Sequence, residues 1–406
     1  MVGFNLIGCS LVYLGFRDHY LIKKISIEYI LDDTYYALAY MMIMFPLVLI
    51  AIKKLVKQDN IDTFIQAKTT YNHNCIQIQG ICTIMIVLCT AATAYVFYKL
   101  DYVPLLAMIN GGNLNALRQS GGRYFAGNIY VKNLLMLTLT PFVSYLIYIY
   151  YKLTNTKAWL FLFVYSAVLS VVVLTYDFSK SPIITYLLGF YLLDVSMGNI
   201  KNSRGFYKLL TSAVLIIALF YVVILGAGNS FRSIYTGPVG RIVFSQIATL
   251  FLHFEAFPLK RAFLDGASFN SWMSFFIPNA AGIRSGRIVM SIYNAAGIET
   301  NTAGVMNTVF IGEAYANYGL TGVLIAPVVF GVEIGLFAYL LPTIKKTPIS
   351  ILLYVQMTLQ FVTIIEGGFV DIFYSASILF ILLISFLLSI VSGNECLCEQ
   401  YSERRN

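Results

Sequence analysis

Arg118 and Arg123 lie in one polar interval of the chain, and Arg232, Arg241, Arg284 and Arg287 lie in another. A guanidinium is planar, permanently charged and forked, so a set of them can hold phosphate or carboxylate oxygens two at a time. Each arginine alone has a plainer use, snorkelling to lipid headgroups or pairing with Glu255, Asp265 or Glu299. Close to the second set are three groups that can exchange protons, His253, Glu255 and Glu313. A His or a carboxylate near an anion-holding cluster can act as a general acid or base, or hold a hydroxyl. For Glu313, one residue after Gly312, stabilisation by a helix N-terminus is the competing role. For His253 and Glu255 it is a satisfied interfacial helix end. Asn317 falls one turn after Glu313 and on the same helix side.

These residues need a scaffold, and composition says which kind. Of 406 residues, 59% are apolar and 11% charged, where a soluble domain carries about a quarter charged residues. A crossing takes roughly 20 apolar residues, and the apolar runs are continuous rather than alternating, which excludes a β-barrel. The chain reads as an all-α polytopic integral membrane protein with about ten transmembrane helices, in a range of roughly 10–12. The net charge of +8 then marks cytoplasmic loops, not a nucleic-acid partner.

Taken in order, residues 1–99 hold the N-terminal transmembrane helices. Residues 100–128 form a first periplasmic loop, and 129–226 the central helices. Residues 227–310 form a large periplasmic loop with re-entrant or interfacial helices, 311–394 the C-terminal helices, and 395–406 a cytoplasmic tail. Lys53, Lys54 and Lys57, then Lys152 and Lys157, Lys201 to Lys208, and Lys345 and Lys346 mark the inner side by the positive-inside rule. Arg17, Lys23 and Lys24 then fall outside, so either the segment 1–16 does not cross or the N-terminal topology is unusual. Outer loops require no excess of arginine, so the two arginine sets ask for an anionic ligand, and a lipid diphosphate at the membrane surface is a natural one. Gly331 and Gly335 have the spacing that lets helices approach closely. No internal repeat is visible.

Six cysteines give neither a disulfide framework nor ligand spacing for a metal, and no cofactor is expected. Phosphate-loop, dinucleotide, zinc-protease and nucleophile-elbow motifs do not occur. Outer aromatic residues such as Tyr124, Phe125, Tyr235 and Trp272 can stack on sugar rings, or form an interfacial belt.

The run from Phe269 to Pro278 (Phe-Asn-Ser-Trp-Met-Ser-Phe-Phe-Ile-Pro), followed by Gly312-Glu-Ala-Tyr-Ala-Asn-Tyr-Gly and Thr321-Gly322, resembles the bacterial oligosaccharide repeat-unit polymerases, the Wzy-type O-antigen and capsule polymerases. The layout is similar too, with an early arginine-bearing outer loop and a long later one. The resemblance implies a fold similar to the lipid-dependent (GT-C-like) membrane glycosyltransferases in the bacterial inner membrane. It implies en bloc transfer of a glycan from undecaprenyl diphosphate to a newly flipped unit at the periplasmic face. It further implies no metal, a membrane-lipid environment, and chain-length regulator and flippase proteins as partners. Glu313, Glu255 and His253 are then the candidate bases, the six arginines the diphosphate ligands, and Tyr315, Asn317 and Trp272 the sugar contacts. Gly312, Glu313, Tyr315, Asn317 and Gly319 match by motif, whereas a spaced arginine–glycine motif of some members is not cleanly present around Arg232 or Arg287. An O-antigen ligase shares substrate and architecture. A lipid-linked oligosaccharide flippase or transporter is the alternative of a different class, with Asp194 near a span end in its favour.

Overall fold

The computed structural model describes residues 2–56, 60–71, 76–100, 125–176, 180–199, 240–299, 304–373 and 375–403, with positions 211 and 235. Every regular element among the described residues is helical. Seven helices are long and apolar enough to cross a membrane: Tyr29–Val56, Ile76–Lys99, Val131–Thr154, Lys157–Thr175, Phe310–Thr343, Pro348–Gly367 and Phe369–Ser392. The chain is therefore a multi-pass membrane protein. Of the remaining expected spans, the one near 209–226 lies outside the described residues except for position 211. The one after Pro182 is an apolar helix of 17 residues, Lys180–Ser196. The N-terminal segment forms α1, Val2–Tyr13, of 12 residues. At 1.5 Å per residue that is about 18 Å, well short of a bilayer core of about 30 Å. This helix is too short to cross by itself, and the side on which Arg17, Lys23 and Lys24 lie is set by the span Tyr29–Val56 that follows them.

The chain forms two compact units, which do not follow the linear segments. The first comprises Met1–Gln58, Leu225–Tyr339 and Phe361–Tyr374, and the second Asp59–Ile224, Leu340–Gln360 and Ser375–Asn406.

The first unit is built on a buried helix rather than an interfacial one. A π-helical turn, Arg241–Ser245, leads into the helix Gln246–Ala256, in which every residue from Ile247 to Ala256 is buried. Helix α1 lies against the turn so tightly that a Cβ on Gly8 would stand 2.1 Å from the Val243 carbonyl oxygen. Only a residue without a side chain permits that approach. Helix α2, Tyr29–Val56, meets the long helix Phe310–Leu340 at Gly331 and Gly335, where added Cβ atoms would stand 2.9 Å from Val48 and 3.0 Å from Ile52. The small-residue spacing thus serves close helix packing.

The long helix is broken. Gly319 has φ 59° and ψ −142° and separates a short segment, Phe310–Tyr318, from the apolar remainder. Breaking a helix orphans its terminal carbonyls. The preceding loop meets two of them: Leu264 N–H donates to Ala316 O at 3.0 Å and Asp265 N–H to Asn317 O at 3.1 Å. Non-helical backbone inside a membrane protein persists when protein groups satisfy it in this way.

The second unit has an aromatic core. Its helices are Ile76–Lys99, Val131–Thr154 (π-helical over Val131–Leu139), Lys157–Thr175, Lys180–Ser196 and Ala376–Glu403. Tyr145, Tyr148, Phe163, Tyr186 and Phe190 pack with ring centroids 4.9–5.7 Å apart. Asp194 is not a solitary intramembrane charge: the Tyr148 hydroxyl donates to it at 3.0 Å and the Asn199 amide at 3.4 Å. Cys82 and Cys89 are buried in this core and form no disulfide.

Candidate active site

The short helical segment before Gly319 carries Glu313, whose side chain is 4% exposed. A buried carboxylate needs donors, and this one draws them from three places. Arg284 Nη1 stands 3.8 Å from Oε2, and Val370 N–H donates to the same oxygen at 3.3 Å. The Ser285 N–H, at the start of the helix Ser285–Tyr293, also points at the carboxylate, where the helix N-terminus favours negative charge. The turn carrying Val370 approaches through Gly368, with φ 151°, where a Cβ would sit 2.1 Å from Glu313 Oε2. Glycine is required there on both counts.

Arg284 does not face Glu313 alone. Its fork grips Asp371, Nη1 to Oδ2 at 3.0 Å and Nη2 to Oδ1 at 2.5 Å. Burial opposes the charge, but the Asp371 hydrogen bonds and the two neighbouring carboxylates outweigh it and hold the guanidinium above its ordinary value. The result is one cation between two carboxylates, with the bidentate bond spent on Asp371. Arg284 therefore orients Glu313 at longer range while its own geometry is fixed.

Behind the cluster lies His253, with no exposed surface. Its Nδ1 is 2.7 Å from Thr249 O and its Nε2 3.3 Å from Ser285 Oγ. A carbonyl only accepts, so Nδ1 carries the proton and Nε2 accepts from the Ser285 hydroxyl. Burial lowers the imidazole to about 4, against a smaller opposing effect of the Thr249 hydrogen bond, so the ring is neutral at neutral pH. Ser285 thereby joins His253 to Glu313, through its hydroxyl and its N–H respectively.

Glu255 sits apart from this network. Its buried carboxylate takes Ser26 N–H at 2.7 Å, Ser26 Oγ at 2.8 Å, Lys260 Nζ at 2.6 Å and Tyr293 OH at 3.0 Å. Lys260 also stands 4.2 Å from the Tyr293 ring centroid. Burial alone would raise the carboxyl, but the Lys260 and Ser26 hydrogen bonds dominate and hold it below its ordinary value. A carboxylate so tied is a weak proton acceptor, and the arrangement anchors the segment after α1 to the end of the buried helix.

The remaining expected residues divide. Arg287 is exposed, three positions after Arg284, with no ion-pair partner among the described residues. Arg118, Arg123 and Arg232 lie outside the described residues, as does the side chain of Arg241. Asn317 is fully buried, donating to Glu313 O at 2.8 Å and Ser268 Oγ at 3.1 Å, and so holds the loop against the short helical segment. Tyr315 stacks on Phe254 with centroids 4.0 Å apart. Trp272 is 53% exposed beside exposed Phe275 and Phe276, on a 3-10 turn Ser271–Phe275, with no ring contact of its own among the described residues. Asp371 and Ser285 are the site residues that the motif did not mark. Among the described residues no group of His, Cys, Asp and Glu is placed to hold a metal ion.

No protein-family model matches this chain, and no curated protein or solved structure is significantly similar to it.

Proposed function

We propose that the protein is a membrane glycosyltransferase of the repeat-unit polymerase type. In this reading it has about ten spans and a GT-C-like architecture in a bacterial inner membrane. It joins undecaprenyl-diphosphate-linked oligosaccharides into O-antigen or capsular polysaccharide at the periplasmic face. The observation that carries the reading is Glu313, buried on a short helical segment within the matched motif and oriented by Arg284, with exposed Arg287 on the helix that Arg284 begins.

In this mechanism Glu313 accepts the proton of the acceptor sugar hydroxyl as that oxygen attacks the anomeric carbon of the lipid-linked chain. The bond from that carbon to the diphosphate breaks, and the leaving diphosphate departs with both electrons. Arg287, with loop arginines outside the described residues, stabilises the departing charge. Arg284 and Asp371 act as positioning residues. Chain-length regulator and flippase proteins are the partners this activity would work beside.

The test is the ladder of glycan lengths in cells lacking the gene, complemented with wild type, Glu313→Gln or Arg287→Ala. Core bearing a single repeat unit in the deletion, with the ladder restored by wild type and not by Glu313→Gln, is the expected result. Core with no unit while polymer accumulates on its carrier would make the protein a ligase. The helix broken at Gly319 also favours a transporter reading, because transporters bind substrate at such breaks. Loss of flipped single units, rather than of their polymerisation, would select it.

A further inference from the structure

We propose that the second unit holds a binding site for an anionic phospholipid, independent of the site around Glu313. A half-open cavity of about 760 Å³ lies between the loop after Asn60–Gln66 and the helices Pro348–Gly367 and Ala376–Glu403. That volume is within the range of small-molecule sites, roughly 300–1,000 Å³.

The lining is divided by chemistry. Lys68 and Lys345 are both exposed, and neither has a carboxylate partner among the described residues. Lys346 shows what a satisfied lysine looks like here: it is buried and donates to Ile65 O and Ala67 O at 2.8 Å each. Its two neighbours in the cavity are left with charge to spend. The apolar wall is formed by Leu353, Leu382 and Phe386, all on membrane-length helices.

Ser385 is the independent sign that a polar ligand belongs there. It is 2% exposed, it lines the cavity, and its Oγ has no hydrogen-bond partner. Leaving a buried hydroxyl unmet destabilises a fold, because the group has given up its water and gained nothing in return. Ser389 follows one helical turn on and lines the same cavity, with its hydroxyl donating to Ser385 O at 2.8 Å. A free anion would use the lysines and hydroxyls but leave the apolar wall bare. A phospholipid uses both: a phosphate between Lys68 and Lys345, glycerol-ester oxygens near Ser385, and an acyl chain along Leu353, Leu382 and Phe386.

The test is native mass spectrometry of the full chain in detergent, titrated with phosphatidylglycerol and, separately, phosphatidylcholine. Wild type is expected to retain one phosphatidylglycerol in preference to phosphatidylcholine. Lys68→Gln with Lys345→Gln should weaken that retention roughly thirtyfold, about fivefold per lysine, and leave phosphatidylcholine unchanged. Ser385→Ala should weaken it too, while raising the lipid-free melting temperature, because it removes the unmet hydroxyl. Because both lysines are exposed, the double variant tests the proposal without endangering the fold. Equal phosphatidylglycerol retention in wild type and the double variant would overturn it. So would stabilisation by inorganic phosphate matching that by the lipid at equal concentration, which would make this a free-anion site.

Discussion

Acidification should unfold the first unit through His253. The ring has no exposed surface, donates from Nδ1 to Thr249 O and accepts at Nε2 from Ser285 Oγ. Protonating Nε2 turns the acceptor into a donor facing a hydroxyl and puts an uncompensated charge in the core. The ordinary value of 6.5 is lowered to about 4 in the fold, by burial. Between those values the unfolded chain binds a proton that the folded chain refuses, so stability falls as pH falls from about 6.5 toward 4. Linkage gives a loss of about 2 kcal/mol by pH 5 and about 3 kcal/mol by pH 4. His19, also buried and lowered to about 4, adds a slope of its own. Comparison with His253→Gln isolates the one ring. Purified full chain in micelles can be followed by the reactivity of Cys9, a buried thiol of the first unit, on unfolding. The difference between wild type and His253→Gln should shrink by about 2 kcal/mol between pH 7.5 and pH 5. Identical pH slopes for the two proteins would refute the argument, since the ring would then not be held neutral by the fold.

Three further outcomes follow from the same contacts. Gly368→Ala should destabilise by about 2 kcal/mol or more, because the added methyl meets Glu313 Oε2 at 2.1 Å in a backbone conformation that suits glycine; thermal unfolding and the glycan ladder should both register it. Asp371→Asn removes the charge from a bidentate bond to Arg284, at a cost of about 1–3 kcal/mol, and should let Arg284 close on Glu313, so that the glycan ladder weakens by more than the stability loss explains. Lys260→Met leaves the Glu255 carboxylate buried without its cation and should cost more than Glu255→Gln, by denaturant or heat. Because Glu255 is held below its ordinary 4.5, its contribution is complete above that pH and lost as pH falls through the lowered value.

The legible parts of this chain were those written locally. Continuous apolar runs marked the spans, and an ionisable residue beside the start of one marked Glu313. The partners of that residue were not legible. Arg284 and Asp371 meet across 87 positions, and Glu255 meets Ser26 across 229. No spacing rule reaches so far, so Asp371 went unmarked and Glu255 read as a candidate base or a satisfied interfacial helix end. Gly319 sits in an apolar run where glycine ordinarily signals packing, and its positive φ is set by the loop that hydrogen-bonds Ala316 and Asn317. The segment around His253 read as interfacial because it is short, yet it is the most buried helix of its unit; short apolar helices look alike whether they border a bilayer or fill a core.

The break at Gly319 divides the control of Glu313 from the anchoring of its helix. The longer piece is fixed by packing on α2 at Gly331 and Gly335, while the shorter piece is held by Leu264, Asp265 and Ser268. The piece bearing Glu313 thus takes its position from the loop, while Arg284, Val370 and Ser285 hold the carboxylate itself. The glycine separates the two pieces, so a displacement of residues 264–268 would be expected to reach the short piece, and Glu313 with it, before the membrane-spanning shaft. A Gly319→Ala chain, stiffer at the joint and crowded against Phe263, would couple the two pieces and make the site sense its bilayer where it now senses its loop.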